Sequence, residues 1–287
     1  MTRHFPMHLQ LIDPNIYDSS ALDGFPFKES AMELSGENAM FLGGLLRRYR
    51  PKTLLEVGVS AGGSSALLLH VLDRLDMESE VVSVDLSERW NKDAAFATGW
   101  AAKKLYPEKK NWRLYTGKFL PEIIEELNLE FDFCFLDTVH ALPGELLDYL
   151  VVLPFMPEGS IMAMHDTSLY YQVKDALATR VLYDASVGKK IIPPQLTQND
   201  ANLSAFQITD ETYKHVVNIF SALYMPWAYL LDAPQFHIYH TFFKKYYGEE
   251  AAEWFTRSRD WNNKHWIKTR VREKFPIPRR SSPAEGQ

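Results

Sequence analysis

Between residues 50 and 167 short apolar runs alternate with longer stretches of mixed polarity. The runs at 53–57, 81–84, 112–115, 131–136 and 161–164 are apolar at most positions. Strands of that kind are buried on both faces, and in this alternation they predict a parallel sheet with helices on each side. The stretches at 64–75, 92–105, 120–127 and 144–153 read as those helices. Ahead of them, 37–49 carries Met40, Phe41, Leu45 and Leu46 and ends on Arg47 and Arg48, positive charge near a helix C-terminus, before Pro51 stops it. Beyond 167 the pattern predicts a helix at 171–183. Two further strands follow at 190–192 and 204–208, the second a candidate for antiparallel pairing, with a loop at 193–202 between them.

The fold class is therefore α/β: a doubly wound, mostly parallel seven-stranded sheet with a helical C-terminal extension. Turn formers (Pro6, Asp13-Pro14, Asp23-Gly24, Phe25-Pro26) make 1–30 an irregular N-terminal arm, and the sheet domain occupies 31–210. From 211 to 270 the chain reads as aromatic-rich helices at 212–231, 236–247 and from 250 onward. Trp227, Tyr229, Phe236, Tyr239, Phe242, Phe243, Trp254, Trp261 and Trp266 recur there at helical spacing. Core or subunit packing is the expectation for such rings, which keeps a homo-oligomer through these helices in view; an acceptor lid is the alternative. The locally basic end frays, leaving 271–287 as a flexible tail.

Charge narrows the partners. With Lys plus Arg at 31, Asp plus Glu at 37 and a net charge of −6, the chain lacks the basic excess of a nucleic-acid binder. The single cysteine, Cys134, lies in an apolar run and reads as a small buried hydrophobe, which suits a reducing compartment. No apolar stretch has transmembrane or signal-peptide length, so no membrane partner is expected and the expected location is cytoplasmic.

One segment carries readable chemistry. In Leu54-Leu55-Glu56-Val57-Gly58-Val59-Ser60-Ala61-Gly62-Gly63-Ser64-Ser65 a strand ends, a glycine turn follows and a helix opens. Glycine suits a tight turn or a close backbone approach, and open parallel sheets bind ligands at the carboxyl ends of their strands. The spacing Glu-x-Gly-x-x-x-Gly-x-Ser differs from the dinucleotide pattern Gly-x-Gly-x-x-Gly and argues against a nicotinamide or flavin. Asp85 ends the next strand, 27 residues after Gly58, where a carboxylate can accept both hydroxyls of a ribose.

These residues resemble the class I S-adenosylmethionine-dependent methyltransferases over about 35–210. Glu56, Gly58, Gly62 and Ser64 look like their first motif and Asp85 like the acid of their second, which makes S-adenosylmethionine the implied cofactor. Phe135-Leu136-Asp137-Thr138-Val139-His140 and Pro157-Glu158-Gly159 through His165-Asp166-Thr167 resemble segments of a small-molecule O-methyltransferase branch. That branch includes catechol-type, antibiotic-sugar and cephalosporin-hydroxylase-like proteins. The resemblance implies a small-molecule acceptor, a sugar or secondary-metabolite hydroxyl. It also implies a Mg²⁺ option at Asp137 and Asp166, with Thr167 where catechol-type enzymes place a third ligand. His140 is the first candidate base and His165 the second, with Asp137 beside them. Departures exist: Glu158 replaces a glycine, and Gly117-Lys118-Phe119 stands where many relatives have Gly-Asp-Ala, Lys118 reading as a solvated loop lysine. Three alternatives stay open: a metal-independent enzyme using a His base, a cephalosporin-hydroxylase-like protein, or a non-catalytic assembly subunit.

Overall fold

A computed structural model describes residues 16–173, 176–191 and 202–274, with side chains as far as residue 265. The first half of the expected N-terminal arm, residues 1–15, most of the 193–202 loop and the tail beyond 274 lie outside the described residues. A 3-10 turn at Ser19–Leu22 and α1 (Phe27–Ser30) lead into α2 (Gly36–Tyr49), whose N-cap Ser35 accepts the Asn38 amide at 3.2 Å. Alternation follows: β1 (Thr53–Val57), α3 (Gly63–Arg74), β2 (Glu80–Asp85), α4 (Trp100–Leu105), β3 (Trp112–Thr116) and α5 (Leu120–Leu127). Then come β4 (Phe133–Leu136), α6 (Gly144–Val152), β5 (Ile161–His165), α7 (Ala178–Ala185), β6 (Lys189–Ile191) and β7 (Leu203–Gln207). The extension comprises α8 (Asp210–Lys214), α9 (Val217–Ala222), α10 (Ala233–Tyr247) and α11 (Glu249–Lys274).

The sheet has seven strands in the order β3-β2-β1-β4-β5-β7-β6, and β7 alone runs against its neighbours. The fold class and the antiparallel expectation for 204–208 both hold. Strand order reverses between β1 and β4, the place where an open α/β sheet leaves a crevice at its carboxyl ends. Alternate strand residues feed two cores. Leu55, Val57, Val82, Cys134, Leu136 and Phe206 pack toward α5, α6 and the extension. Leu54, Val81, Phe133, Phe135 and Ala205 pack toward α2, α3 and the segment of Ile16, Ala21 and Phe25. Trp227, Phe242, Phe243 and Phe255 belong to the first core, so the extension shares its interior with the sheet. No described helix is long and apolar enough to cross a membrane.

Three helices are shorter than the spacing predicts. The 92–105 helix begins only at Trp100: Asp93 Oδ1 accepts the Ala95 amide and Thr98 Oγ1 donates to the Ser87 carbonyl, side-chain bonds that favour turns over helix. Trp90, Phe96 and Trp100 cluster within that excursion instead of lining a helix face. The 171–183 helix is a 3-10 turn at Leu169–Tyr171 followed by α7. The 212–231 helix is two short helices and a non-helical segment holding Pro226, which has no amide to donate. At the other extreme α11 continues to Lys274, past the 270 boundary.

Candidate functional site

Where β1 ends, Gly58 adopts φ +91°, and a Cβ there would stand 1.8 Å from the Asp137 carbonyl oxygen. The turn therefore lies against the tip of β4. Gly62, at φ +95°, leaves room for Gly99, whose Cα would lie 2.9 Å from an added Cβ. Asp85 ties the turn to β2: its Oδ2 accepts the amides of Val59 at 2.8 Å and Ser60 at 3.0 Å, and Oδ1 accepts that of Ser87 at 2.8 Å. A carboxylate offers about four acceptor positions, so Asp85 retains capacity for a hydroxyl donor.

Glu56 lies beneath the turn with no solvent exposure. It accepts hydroxyls from Ser64 at 2.6 Å, Ser65 at 2.5 Å and Ser83 at 2.6 Å. Burial pushes its carboxyl up to about 7 against the pull of those three hydroxyls. Glu56 and Gly62 line neither of the cavities described below, and Ser64 lines only the smaller one. Of the five residues expected to hold the cofactor, Gly58 and Asp85 reach the larger cavity.

That cavity, about 530 Å³, opens at the carboxyl ends of the strands and falls in the size range of small-molecule sites. Gly58, Ser60 and Asp85 line it beside Leu86, Phe119 and Leu147; Asp148 of α6 and Tyr229, Gln235 and Tyr239 of the extension line it too. Lys118 is exposed and also borders it. A glycine turn, a strand-tip carboxylate and apolar side walls match the chemistry of S-adenosylmethionine, which carries an amino-acid end, a ribose and a flat base. A second cavity of about 130 Å³ shares Gly58, Ser60, Asp137 and Thr138 with the first and is lined by Glu33, Leu34 and His140 as well.

At the tips of β4 and β5 the chain gathers acids and imidazoles. One ligand atom each from Asp137, His140 and Asp166 lies within 4.8 Å of the others. His140 Nε2 is 2.7 Å from Asp166 Oδ2 and 3.7 Å from Asp137 Oδ1, and His165 Nδ1 is 3.2 Å from Asp137 Oδ1. Asp166 holds a left-handed backbone, φ +63°, and Asn202 donates to its Oδ1. Burial opposes an imidazolium at His140, but the Asp166 hydrogen bond and the charges of Glu145, Asp166 and Asp137 prevail and raise it to about 9. Asp166 is held low: burial works against its charge, and the bonds and charges of the two histidines outweigh burial. Beyond His140, the buried Glu145 accepts the Thr179 hydroxyl and is pushed up to about 8 by burial.

Thr167 is buried, with its hydroxyl 3.0 Å from Ser204 Oγ, and His140 is the nitrogen donor that gathers beside Asp137 and Asp166. Two carboxylates and an imidazole suit a first-row divalent ion better than Mg²⁺, which favours oxygen ligands. Glu145, Asp148, Asn202, Gln235 and Tyr239 went unread as site residues. For Glu145 and Asp148 the signal existed, since each is an acid inside an apolar helix, Gly-Glu-Leu-Leu-Asp-Tyr-Leu-Val-Val.

Residues 55–167 match the model of a family described as a methyltransferase domain. This stretch is a methyltransferase domain. With the strand order, the match bears out the resemblance to class I S-adenosylmethionine-dependent methyltransferases and the assignment as a methyltransferase. No curated protein matches the chain. Solved structures similar to it include a methyltransferase of Podospora anserina bound to S-adenosylhomocysteine: 16% identical, TM-score 0.47, covering 73% of this chain and 100% of that one. An O-methyltransferase of Bacillus cereus in complex with the same product is 16% identical, TM-score 0.46, over 66% and 91%. An O-methyltransferase of Streptomyces achromogenes involved in tomaymycin synthesis is 16% identical, TM-score 0.43, over 67% and 87%. At these scores the likenesses add nothing to what the methyltransferase domain's own topology establishes.

Proposed function

We propose that the chain transfers the methyl group of S-adenosylmethionine to a hydroxyl of a small acceptor, of the sugar or secondary-metabolite class. The observation that carries this reading is continuity. The cavity of Gly58 and Asp85 shares a wall, Asp137 and Thr138, with the smaller cavity at His140. A nucleoside held over the glycine turn would therefore lie beside a cluster suited to a hydroxyl that must lose its proton. S-adenosylmethionine supplies an activated methyl group on a sulfonium. Asp85 accepts ribose hydroxyls, Gly58 admits the amino-acid end, and the apolar walls exclude water from the transfer. Asp137, His140 and Asp166 are the residues that would hold a divalent cation, which lowers the pKa of a bound hydroxyl. His165 holds Asp137 in place through their 3.2 Å contact.

A second reading draws on the 2.7 Å contact of His140 Nε2 with Asp166 Oδ2. There the unprotonated fraction of His140, which grows as pH rises toward about 9, takes the acceptor's proton and Asp166 stabilises the imidazolium, so turnover should climb with pH over that range. The test is transfer of labelled methyl from S-adenosylmethionine to a panel of sugar and phenolic acceptors. The first reading expects turnover that EDTA abolishes and that Mn²⁺ restores at lower concentration than Mg²⁺. EDTA-resistant turnover that His140→Ala lowers by roughly 10²–10⁴-fold favours the second. A wild-type protein that neither binds the cofactor nor labels any acceptor sinks both.

A further inference from the structure

The larger cavity holds a carboxyl that the reading above leaves idle. Asp148 lies in the second turn of α6, between the fully buried Leu147 and Tyr149, and lines the same cavity as Asp85. The two acids are near enough for the charge of Asp85 to oppose ionisation of Asp148, and enclosure is the larger cause that lifts Asp148 to about 7. Its partner from the extension is Tyr239 of α10, whose hydroxyl donates to Oδ1 at the long distance of 3.5 Å. Acceptor capacity therefore remains on Asp148. Gln235, one turn before Tyr239, lines the cavity as well; its Oε1 is taken by the Asp232 amide at 3.0 Å, while its own amide caps α10 on Asp232 Oδ1 at 2.8 Å. Apolar side chains, Leu86, Phe119, Leu147 and Leu231, make up much of the remaining wall, and the loop after β3, Gly117-Lys118-Phe119, brings no acid to it.

Three carboxyls line this cavity: Asp137, on the wall shared with the smaller cavity, and Asp85 and Asp148, set among apolar side chains. The latter two call for a ligand with hydrogen-bond donors at two separate places and a flat apolar body between them. An adenine nucleoside meets this demand, with hydroxyls on the ribose and an exocyclic amino group on the base. Resting on the cofactor reading above, we infer that Asp148 accepts the six-amino group of the adenine ring, and that Tyr239 of the C-terminal extension positions that carboxyl. The extension is then a wall of the nucleoside site and a determinant of base specificity, as well as a packing element. A site built to accept an N–H rejects an analogue that presents a lone pair at the same point, because the buried acceptor is left unpaired against it.

Calorimetry at pH 8, where Asp148 is ionised, with S-adenosylhomocysteine and S-inosylhomocysteine as probes, tests this. The inosine compound replaces the amino group by a carbonyl oxygen and keeps the ribose and amino-acid ends. The wild type is expected to prefer the adenosine compound by roughly ten- to a hundredfold. Asp148→Asn, nearly isosteric and able to donate to the carbonyl, is expected to weaken the adenosine compound by about tenfold or more and to narrow or reverse the preference. Asp85→Ala is expected to weaken both compounds alike. Equal wild-type affinity for the two overturns the inference without any variant. So does an Asp148→Asn protein that keeps the preference. If the wild type binds neither compound, the cofactor reading fails and this inference fails with it; tight binding without discrimination leaves the cofactor reading standing and removes only the role of Asp148.

Discussion

Glycine is required at residue 58 for two separable reasons, and each has a measurable size. Its φ of +91° is costly for any side chain, and an added Cβ would stand 1.8 Å from backbone, the Asp137 carbonyl oxygen, which has no rotamer to yield. Gly58→Ala is expected to cost about 2–4 kcal/mol in urea denaturation, strain plus overpacking. Gly159, at φ +95° with nothing within 4 Å of an added Cβ, isolates the strain, and Gly159→Ala is expected to cost only about 1–2 kcal/mol. Glu56 makes a prediction in pH. Its carboxyl is raised from 4.5 to about 7, so the folded chain binds this proton more tightly than the unfolded chain does. The resulting stabilisation is complete below pH 4.5 and is lost as pH rises to about 7, on the order of 3 kcal/mol in all. Denaturation of the wild type across that window should show a steeper stability loss with rising pH than Glu56→Gln, in which the raised carboxyls of Asp148 and Glu145 still contribute. An identical pH slope in both proteins would remove Glu56 as the cause. The sequence shows Glu56 and Asp85 equally well as acids at strand tips. What it leaves out is that three serine hydroxyls, two from α3 and one from β2, enclose Glu56.

Among the elements, α10 and α11 join the fold's stability to its site. Phe255 of α11 is fully buried, stacked on Phe236 at 4.9 Å between ring centroids and edge-on to Phe243 at 5.1 Å. Both partners lie on α10, the helix that brings Gln235 and Tyr239 to the larger cavity. Phe255→Ala is expected to cost about 3–5 kcal/mol in denaturation. It should also weaken S-adenosylhomocysteine binding in calorimetry although residue 255 lines neither of the two described cavities; unchanged affinity in the folded variant would separate the two roles. The first five strands were legible because their runs are apolar at most positions. The 92–105 helix was misjudged because Phe96 and Trp100 stand four apart, as on a helix face, while Asp93 and Thr98 spend their side chains on turns. Local side-chain bonds of that kind compete with helix on terms that hydrophobic spacing does not register.

For the whole molecule, the alternation of apolar runs with helices, the glycine turn after the first run and the acids closing the second, fourth and fifth were written in the chain. They determined a doubly wound sheet, the edge at which the larger cavity opens, and the methyltransferase resemblance, because strand burial and turn geometry are set by residues near one another in sequence. Which donors meet at that edge was decided only in three dimensions. His140 joins Asp137 and Asp166, while Thr167 turns to Ser204 on β7, a partner 37 residues away. Asp148 faces a cavity whose far wall is built from residues near 230–240. Contacts of that separation depend on how helices dock over the sheet, and docking follows from the summed packing of two cores, which no local pattern carries.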